Sequence, residues 1–258
     1  MQLGLCSAAA PDASLDELLG ACRRRGLDTL ELRAGDAHGV GPGSARGDRA
    51  RWTPADRDPR IGGAEAAERA RAVEIGISGF RSDSGAGDAE LSVVAMAAGA
   101  PVLVDGGTDV CERIERAMAL AAAGIPVLAV VRGSGAELER AAAAGIGVAW
   151  DADAAEGGLG TTAERILRVA GDRLRHIRLL GGGPEAALHE GRGVGELMAR
   201  LALAGYDGAL VLSPGSRDYH VAWRNWLGGR GGWGCGSRSQ DPSLVRLDPA
   251  PSAVGGAP

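Results

Sequence analysis

One phrase repeats along this chain, and it allows few folds. A short aliphatic run is followed by a polar or glycine-rich loop and then by an amphipathic stretch rich in Ala, Arg and Glu. The aliphatic runs fall at Gln2–Cys6, Thr29–Arg33, Glu74–Ser78, Pro101–Asp105, Pro126–Arg132, Gly147–Asp151, Arg175–Leu180 and Ala209–Ser213. Most begin about 20–35 residues apart, the length of one strand–loop–helix unit. Between them the periodicity predicts helices from Ser14 to Gly26 and over Ala64–Ala72, Ala89–Ala98, Val110–Ala123, Ala136–Ala144, Thr162–Val169 and Glu196–Ala204. Ser14 with Glu17 makes a capping box, and Gly26 supplies a helix stop. Strict alternation of strand and helix implies a parallel sheet. Eight units favour an α/β fold closed into a single-domain (β/α)8 TIM barrel over an open doubly wound sheet. No GxGxxG follows the first run, which leaves a dinucleotide site without support.

At 258 residues the chain suits one large domain. The barrel is expected over 1–227, and 228–258 reads as a Gly/Pro-rich flexible tail. Trp223, Trp226 and Trp233 qualify that view, since large aromatics are seldom left exposed, and this stretch is expected to pack over a barrel mouth. Gly41–Gly63, charged and Pro-bearing, reads as a long solvated loop or a lid.

Composition excludes some chemistry. The sequence holds no lysine, which removes Schiff-base catalysis and the Walker phosphate loop. A net charge of −5 argues against a nucleic-acid partner. No CxxC occurs among Cys6, Cys22, Cys111 and Cys235, and their spacing suits no zinc motif. A strand begins almost at Met1, so no cleavable leader is expected, and no apolar run reaches membrane-spanning length. A cytoplasmic protein with no membrane partner is the simplest expectation.

In such a barrel, chemistry sits at the strand C-terminal ends. That rule nominates Cys6 and Ser7; Glu31, Arg33, Asp36 and His38; Ser78 and Arg81; Asp105; Arg132; Asp151 and Asp153; His176 and Arg178; Ser213 and Arg217. His176 and Arg178 are two apart on one strand and share a face, expected to be the inner one. His38 is a candidate acid or base, with a hydrogen bond within its own loop as the alternative. Gly181–Gly183 and the loop from Pro214 to Arg217 could cradle a phosphate or carboxylate, with Arg217 as the cation. Glu112, Arg113 and Arg116 read as a solvated helix face.

The chain resembles the xylose-isomerase-like barrels, which include sugar-phosphate isomerases and epimerases and the AP-endonuclease-type barrels. The resemblance rests on Met1–Ser7 with Gly26–Leu32, on Gly171–Leu179, and on Glu190–Leu197 leading into Ala204–Leu212. It implies a divalent metal held by four strand-end ligands. Here Val131 followed by Arg132 stands at the Glu of strand five, and Ala154 at the His of an Asp-x-x-His motif opened by Asp151. Arg178 replaces the second His of a His-x-His motif begun by His176, and Ser213 replaces the Glu of strand eight. Of the four ligands only Asp151 is kept, in a mouth expected to be too cationic for a divalent ion.

The implied function is a sugar or sugar-phosphate isomerase or epimerase that moves a proton next to a carbonyl without the usual divalent metal. Its catalytic candidates are Glu31, His38, Asp151 and His176, and its substrate-binding candidates are Arg33, Arg132, Arg178, Ser213 and Arg217. No cofactor is expected, a divalent metal being the weaker alternative. The partner is a small anionic or sugar-like substrate. The competing reading is a catalytically inactive barrel that binds a small anionic ligand or a protein.

Overall fold

Ser14 starts the first helix as expected: its hydroxyl accepts from the Glu17 backbone N–H while the Glu17 carboxylate reaches back to the Ser14 backbone. Gly26 ends that helix at φ 64°, a conformation that favours glycine. The computed structural model describes residues 1–34, 36, 38, 59–82, 88–105, 109–132, 135–154, 158–181, 192–215 and 220–227. Strands β1 (Gln2–Cys6), β2 (Thr29–Arg33), β3 (Gly76–Ser82), β4 (Val102–Val104), β5 (Val127–Val131), β6 (Gly147–Asp153), β7 (Leu174–Gly181) and β8 (Ala209–Pro214) alternate with eight α-helices. These are α1 (Leu15–Arg25), α2 (Pro59–Ala72), α3 (Asp88–Ala98), α4 (Val110–Ala122), α5 (Gly135–Ala143), α6 (Leu159–Ala170), α7 (Arg192–Leu203) and α8 (His220–Leu227). All eight strands pair in parallel, and β8 pairs with β1 to close the barrel. None of the described helices is long and apolar enough to cross a membrane.

The pleat sorts side chains into two cores. Leu5, Leu30, Leu32, Ile177, Leu179, Leu210 and Leu212 join the large cluster between sheet and helices. Residues of the opposite parity form two small apolar clusters inside the barrel: Cys6, Ala8, Ala209 and Val211, and Leu103, Leu128, Val130 and Ala149. The inner side chains are short, and Gly4 and Gly147 are shorter still. A Cβ at Gly4 would meet Thr29 Cγ2 at 2.5 Å and one at Gly147 would meet Leu128 Cδ2 at 2.5 Å.

Three details depart from the sequence expectations. Strand β3 begins at Gly76, not Glu74, because Val73, Glu74 and Ile75 bond back to Ala70 and Arg71 carbonyls and Glu74 sits at φ 61°. Two register shifts then break the ladders. Leu30 pairs with Ile77 but Glu31 with Gly79, and Val148 pairs with Leu174 but Ala149 with His176. Ser78 and Arg175 are the extra residues of these two bulges. Finally, the stretch assigned to a loop as far as Gly63 is already helical from Pro59. Proline is tolerated in the first turn of a helix, and Gly63 lets α2 approach α3, since a Cβ there would lie 2.1 Å from the Val94 carbonyl oxygen. The remainder of that stretch, and 228–258 with Trp233, lie outside the described residues.

The last helix packs beside α1 and the turn after β1 (Ser7–Ala9), in the outer ring and not over the mouth. Trp223 and Trp226 are buried, and their rings meet edge to face with centroids 5.9 Å apart. Arg24 donates to the Leu227 carbonyl, and Arg25 donates to the Trp226 carbonyl while its guanidinium lies 4.7 Å from the centre of the Trp226 ring. Cations at these carbonyls also complement the helix C-terminus. Trp226→Ala should therefore destabilise the protein by about 3–5 kcal/mol in urea unfolding; a loss below about 1 kcal/mol would show that α8 contributes little to closing the helix ring.

Candidate functional site

At the strand C-terminal ends the inner parity turns from apolar to charged. On β2 it carries Glu31 and Arg33, on β3 Arg81, on β6 Asp151, and on β7 His176 and Arg178. Asp105 follows β4 and Arg132 follows β5. Apart from Arg33, these side chains meet across the barrel in one continuous chain of contacts. The Cys6 thiol lies 3.2 Å from Glu31 Oε1, His176 Nε2 lies 2.7 Å from Glu31 Oε2, and Arg178 NH1 lies 3.5 Å from Glu31 Oε1. Arg178 NH2 donates to Asp151 Oδ2. Arg81 pairs with Asp105 and lies 3.7 Å from Asp151 Oδ2. Arg132 donates to Asp105 Oδ1 at 2.6 Å, and its Nε is 4.0 Å from Asp151 Oδ2. The shared inward face expected of His176 and Arg178 is what this geometry requires.

Burial sets the state of each group. Burial alone would push the Glu31 carboxyl up. The hydrogen bond and charge of His176, the Arg81 charge and the Cys6 thiol outweigh it and hold Glu31 below its ordinary value. An ionised Glu31 can only accept, so His176 Nε2 is the donor, while His176 Nδ1 has no partner among the described residues. Burial and the Glu31 charge push the Cys6 thiol well up, keeping it protonated as a donor. Asp151 behaves differently. Burial pushes it up to about 6, with Glu31 adding to the shift and Arg81, Arg132 and Arg113 opposing it. The direct contact from Arg178 also favours the carboxylate, so Asp151 is ionised at neutral pH yet close to its titration.

The remaining candidates are scattered, and Ser78, expected at a strand C-terminal end, lies instead near the start of β3 because that strand runs on to Ser82. Ser213 is buried at the end of β8, on the same face as Val211 of the inner apolar cluster. Arg33 and His38 belong to a network at the β1–β2 end: Ser7 Oγ accepts from the Arg33 backbone N–H at 2.9 Å and donates to Asp36 at 2.6 Å, and His38 Nε2 donates to the Arg33 carbonyl at 2.8 Å. Burial lowers His38 to about 4, against the opposing pull of that bond, so its ring is neutral near pH 7. Arg217 and Gly182–Gly183 lie outside the described residues, and Asp153 points to solvent.

One contribution was read wrongly from sequence. Arg113, expected on a solvated face, is buried and donates to Glu137 Oε1 at 2.8 Å. Glu137 Oε2 accepts the Arg132 backbone N–H at 2.8 Å. The pair thus anchors the backbone that carries Arg132 to the mouth. An apolar-helix pattern gives no sign of it; the only available signal was a Glu in the first turn of α5, five residues after a strand-end Arg.

Within the ring of described side chains, Arg81, Arg132 and Arg178 are met by Glu31, Asp105 and Asp151, three charges against three, with Arg33 standing outside the ring. The donor set still does not suit a divalent ion. Asp151 Oδ2 is ringed by guanidiniums, and among the described residues no group of three or more His, Cys, Asp or Glu side chains is placed to hold a metal.

No family model matches the chain, and no curated protein matches it in sequence. Solved structures do match in fold. A D-psicose 3-epimerase crystallised in the presence of D-fructose aligns with TM-score 0.58 at 14% identity, over 88% of this chain and 90% of that one. An L-ribulose 3-epimerase aligns with TM-score 0.58 at 14% identity, over 88% and 93%. A xylose isomerase domain containing protein from Salmonella typhimurium LT2 aligns with TM-score 0.54 at 12% identity, over 88% and 95%. The likeness is one of fold, a closed (β/α)8 barrel.

The neutral, buried His38 has a thermodynamic signature. Its folded value lies below its unfolded value, so the unfolded chain takes up a proton first as pH falls, and stability is lost from about 6.5 down to about 4. Asp151, raised on folding, works in the opposite direction over an overlapping range. The test is therefore a difference: between pH 7 and pH 4, wild type should lose about 3 kcal/mol relative to His38→Asn in denaturant unfolding. Parallel pH curves would mean that His38 is not held neutral by the fold.

Proposed function

We propose that this protein is a sugar isomerase or epimerase that transfers a proton next to a carbonyl, with Asp151 as the base and without a divalent metal. The observation that carries the reading is Asp151 itself. It is a carboxylate raised to about 6, at the C-terminal end of a barrel strand, beside three guanidiniums. A general base works best when its pKa lies near the working pH, and a nearby guanidinium can carry the negative charge that develops on a carbonyl oxygen during enolisation. Arg132 suits that role, because its side chain is 53% exposed at the mouth while still tied to Asp105. Beneath it, Glu31 and His176 are fully buried and touch the substrate side only through Arg178, so they position that guanidinium. Asp151 would take the proton from carbon and return it to the neighbouring carbon, with a proton passing between the two oxygens, which isomerises the sugar. Epimerisation at the same carbon requires the proton to be returned to the opposite face of the enediolate.

The balance of charges bears on substrate class. A cluster with no net charge has little pull on a phosphate ester and suits an uncharged sugar that exchanges hydroxyl contacts with the ion pairs. Two of the structures sharing the fold are named for epimerisation of free ketoses, which favours the same choice. The second reading, a barrel that binds without catalysis, draws support from one observation: every guanidinium of the ring already has a carboxylate partner, as in a structural network.

Exchange of the carbon-bound proton with deuterated solvent, followed by NMR over a panel of ketoses and aldoses, separates the two readings. Wild type should catalyse exchange at the carbon next to the carbonyl, unaffected by a chelator, with a rate that rises with pH as Asp151 deprotonates through about 6. Asp151→Asn should lower that rate by about 10²–10⁴-fold. Binding to the panel without exchange would sink the enzymatic reading and leave the second. Exchange abolished by the chelator would sink the metal-free chemistry.

A further inference from the structure

We infer that the opposite, N-terminal mouth of the barrel is a second binding site, one for a small carboxylate with a short apolar body. This inference does not rest on the proposed reaction. A cavity of about 430 Å³ opens there among the first residues of the strands, walled by Ile77, Pro101, Pro126, Val127 and Leu128, with Ala209 behind. That volume lies within the usual range for small-molecule sites. Gly208 lies at its edge and must stay bare, because a Cβ would meet the Arg175 carbonyl oxygen at 2.4 Å.

Besides Gln2 at the start of β1, two polar side chains line this cavity, Ser78 and Arg175. They are the extra residues of the two β-bulges, Ser78 on β3 and Arg175 on β7. A bulge re-aims one side chain out of the ladder's alternation, and here both extra residues line the same space. Ser78 Oγ is buried with no hydrogen-bond partner among the described residues, a state that is uncommon unless something else supplies the partner. Arg175 is engaged by Asp207 at 3.4 Å, in a pair whose side chains are 52% and 79% exposed. Exposed pairs of this kind are weak, so a ligand carboxylate can take the guanidinium from Asp207. One planar cation, one hydroxyl and the Gln2 amide, set among apolar walls, together match a carboxylate on a short hydrocarbon chain.

Titration calorimetry of the full-length protein with sodium butyrate tests this, with butyramide as the uncharged counterpart. Butyrate should bind saturably, one per chain, and butyramide about tenfold more weakly or not at all. Arg175→Gln should abolish butyrate binding and Ser78→Ala should weaken it several-fold. Arg132→Gln, at the other mouth, should leave it unchanged. The inference fails if wild type gives no saturable heat with butyrate, if butyramide binds equally well, or if Arg132→Gln removes the binding while Arg175→Gln keeps it. Because the butyrate–butyramide comparison uses wild-type protein, it stands even if a variant folds poorly.

Discussion

A guanidinium can sit inside a closed barrel only between carboxylates, and Arg178 meets that condition from both sides. It touches Asp151 and lies 3.5 Å from Glu31, with little exposure of any of the three. Removing one member of such a group leaves a buried charge without a partner, which is far more damaging than the pair itself is stabilising. The same condition propagates around the ring. Glu31 needs His176 and Arg178, Asp151 needs Arg178 and Arg81, and Asp105 needs Arg81 and Arg132. The charged groups of the barrel are thus specified as a set, whereas the two apolar clusters inside it are filled by small and aliphatic side chains, where volume matters most.

Much of this was legible in the sequence because a strand's period of two is unforgiving. Once Arg175–Leu180 is placed as a strand ending at the mouth, His176 and Arg178 must share a face, and two polar groups cannot both face an apolar helix layer. Asp151 and Ser213 follow by the same reasoning. The two bulges were not legible. They insert one residue each without changing composition, and on β3 an aliphatic Val73–Ile75 segment imitated a strand two residues early. Helix α2 was misplaced for a related reason: a close crossing with α3 requires Gly63, and glycine in sequence argues for a loop. The identity of contacting partners was also out of reach. Sequence supplies the arginines and the aspartates but not which guanidinium meets which carboxylate, and so the pairing of Arg81, Arg132 and Arg178 with acids was not foreseen.

Arg113 shows the same limit on a helix. Its position within α4 carries no mark of function, yet it is buried by meeting Glu137 of the next helix, and Glu137 in turn binds the backbone of Arg132. The consequence is rigidity where it matters. Arg132 is the most exposed member of the ring, and its long side chain starts from a backbone amide that is itself held. Positioning energy in this barrel therefore comes from the helix layer outside as well as from the ion pairs inside.

The guanidiniums around Asp151 also decide what it can do in the proposed reaction. A divalent cation beside a carboxylate keeps it ionised and occupied, and a coordinating oxygen makes a poor base. Guanidiniums carry single, spread charges and give up less to burial. Here they only partly offset desolvation, and Asp151 rises to about 6. In the proposed reaction, a carboxylate held by guanidiniums can exchange a proton near neutral pH, and the same guanidiniums are the groups that would hold the resulting oxyanion.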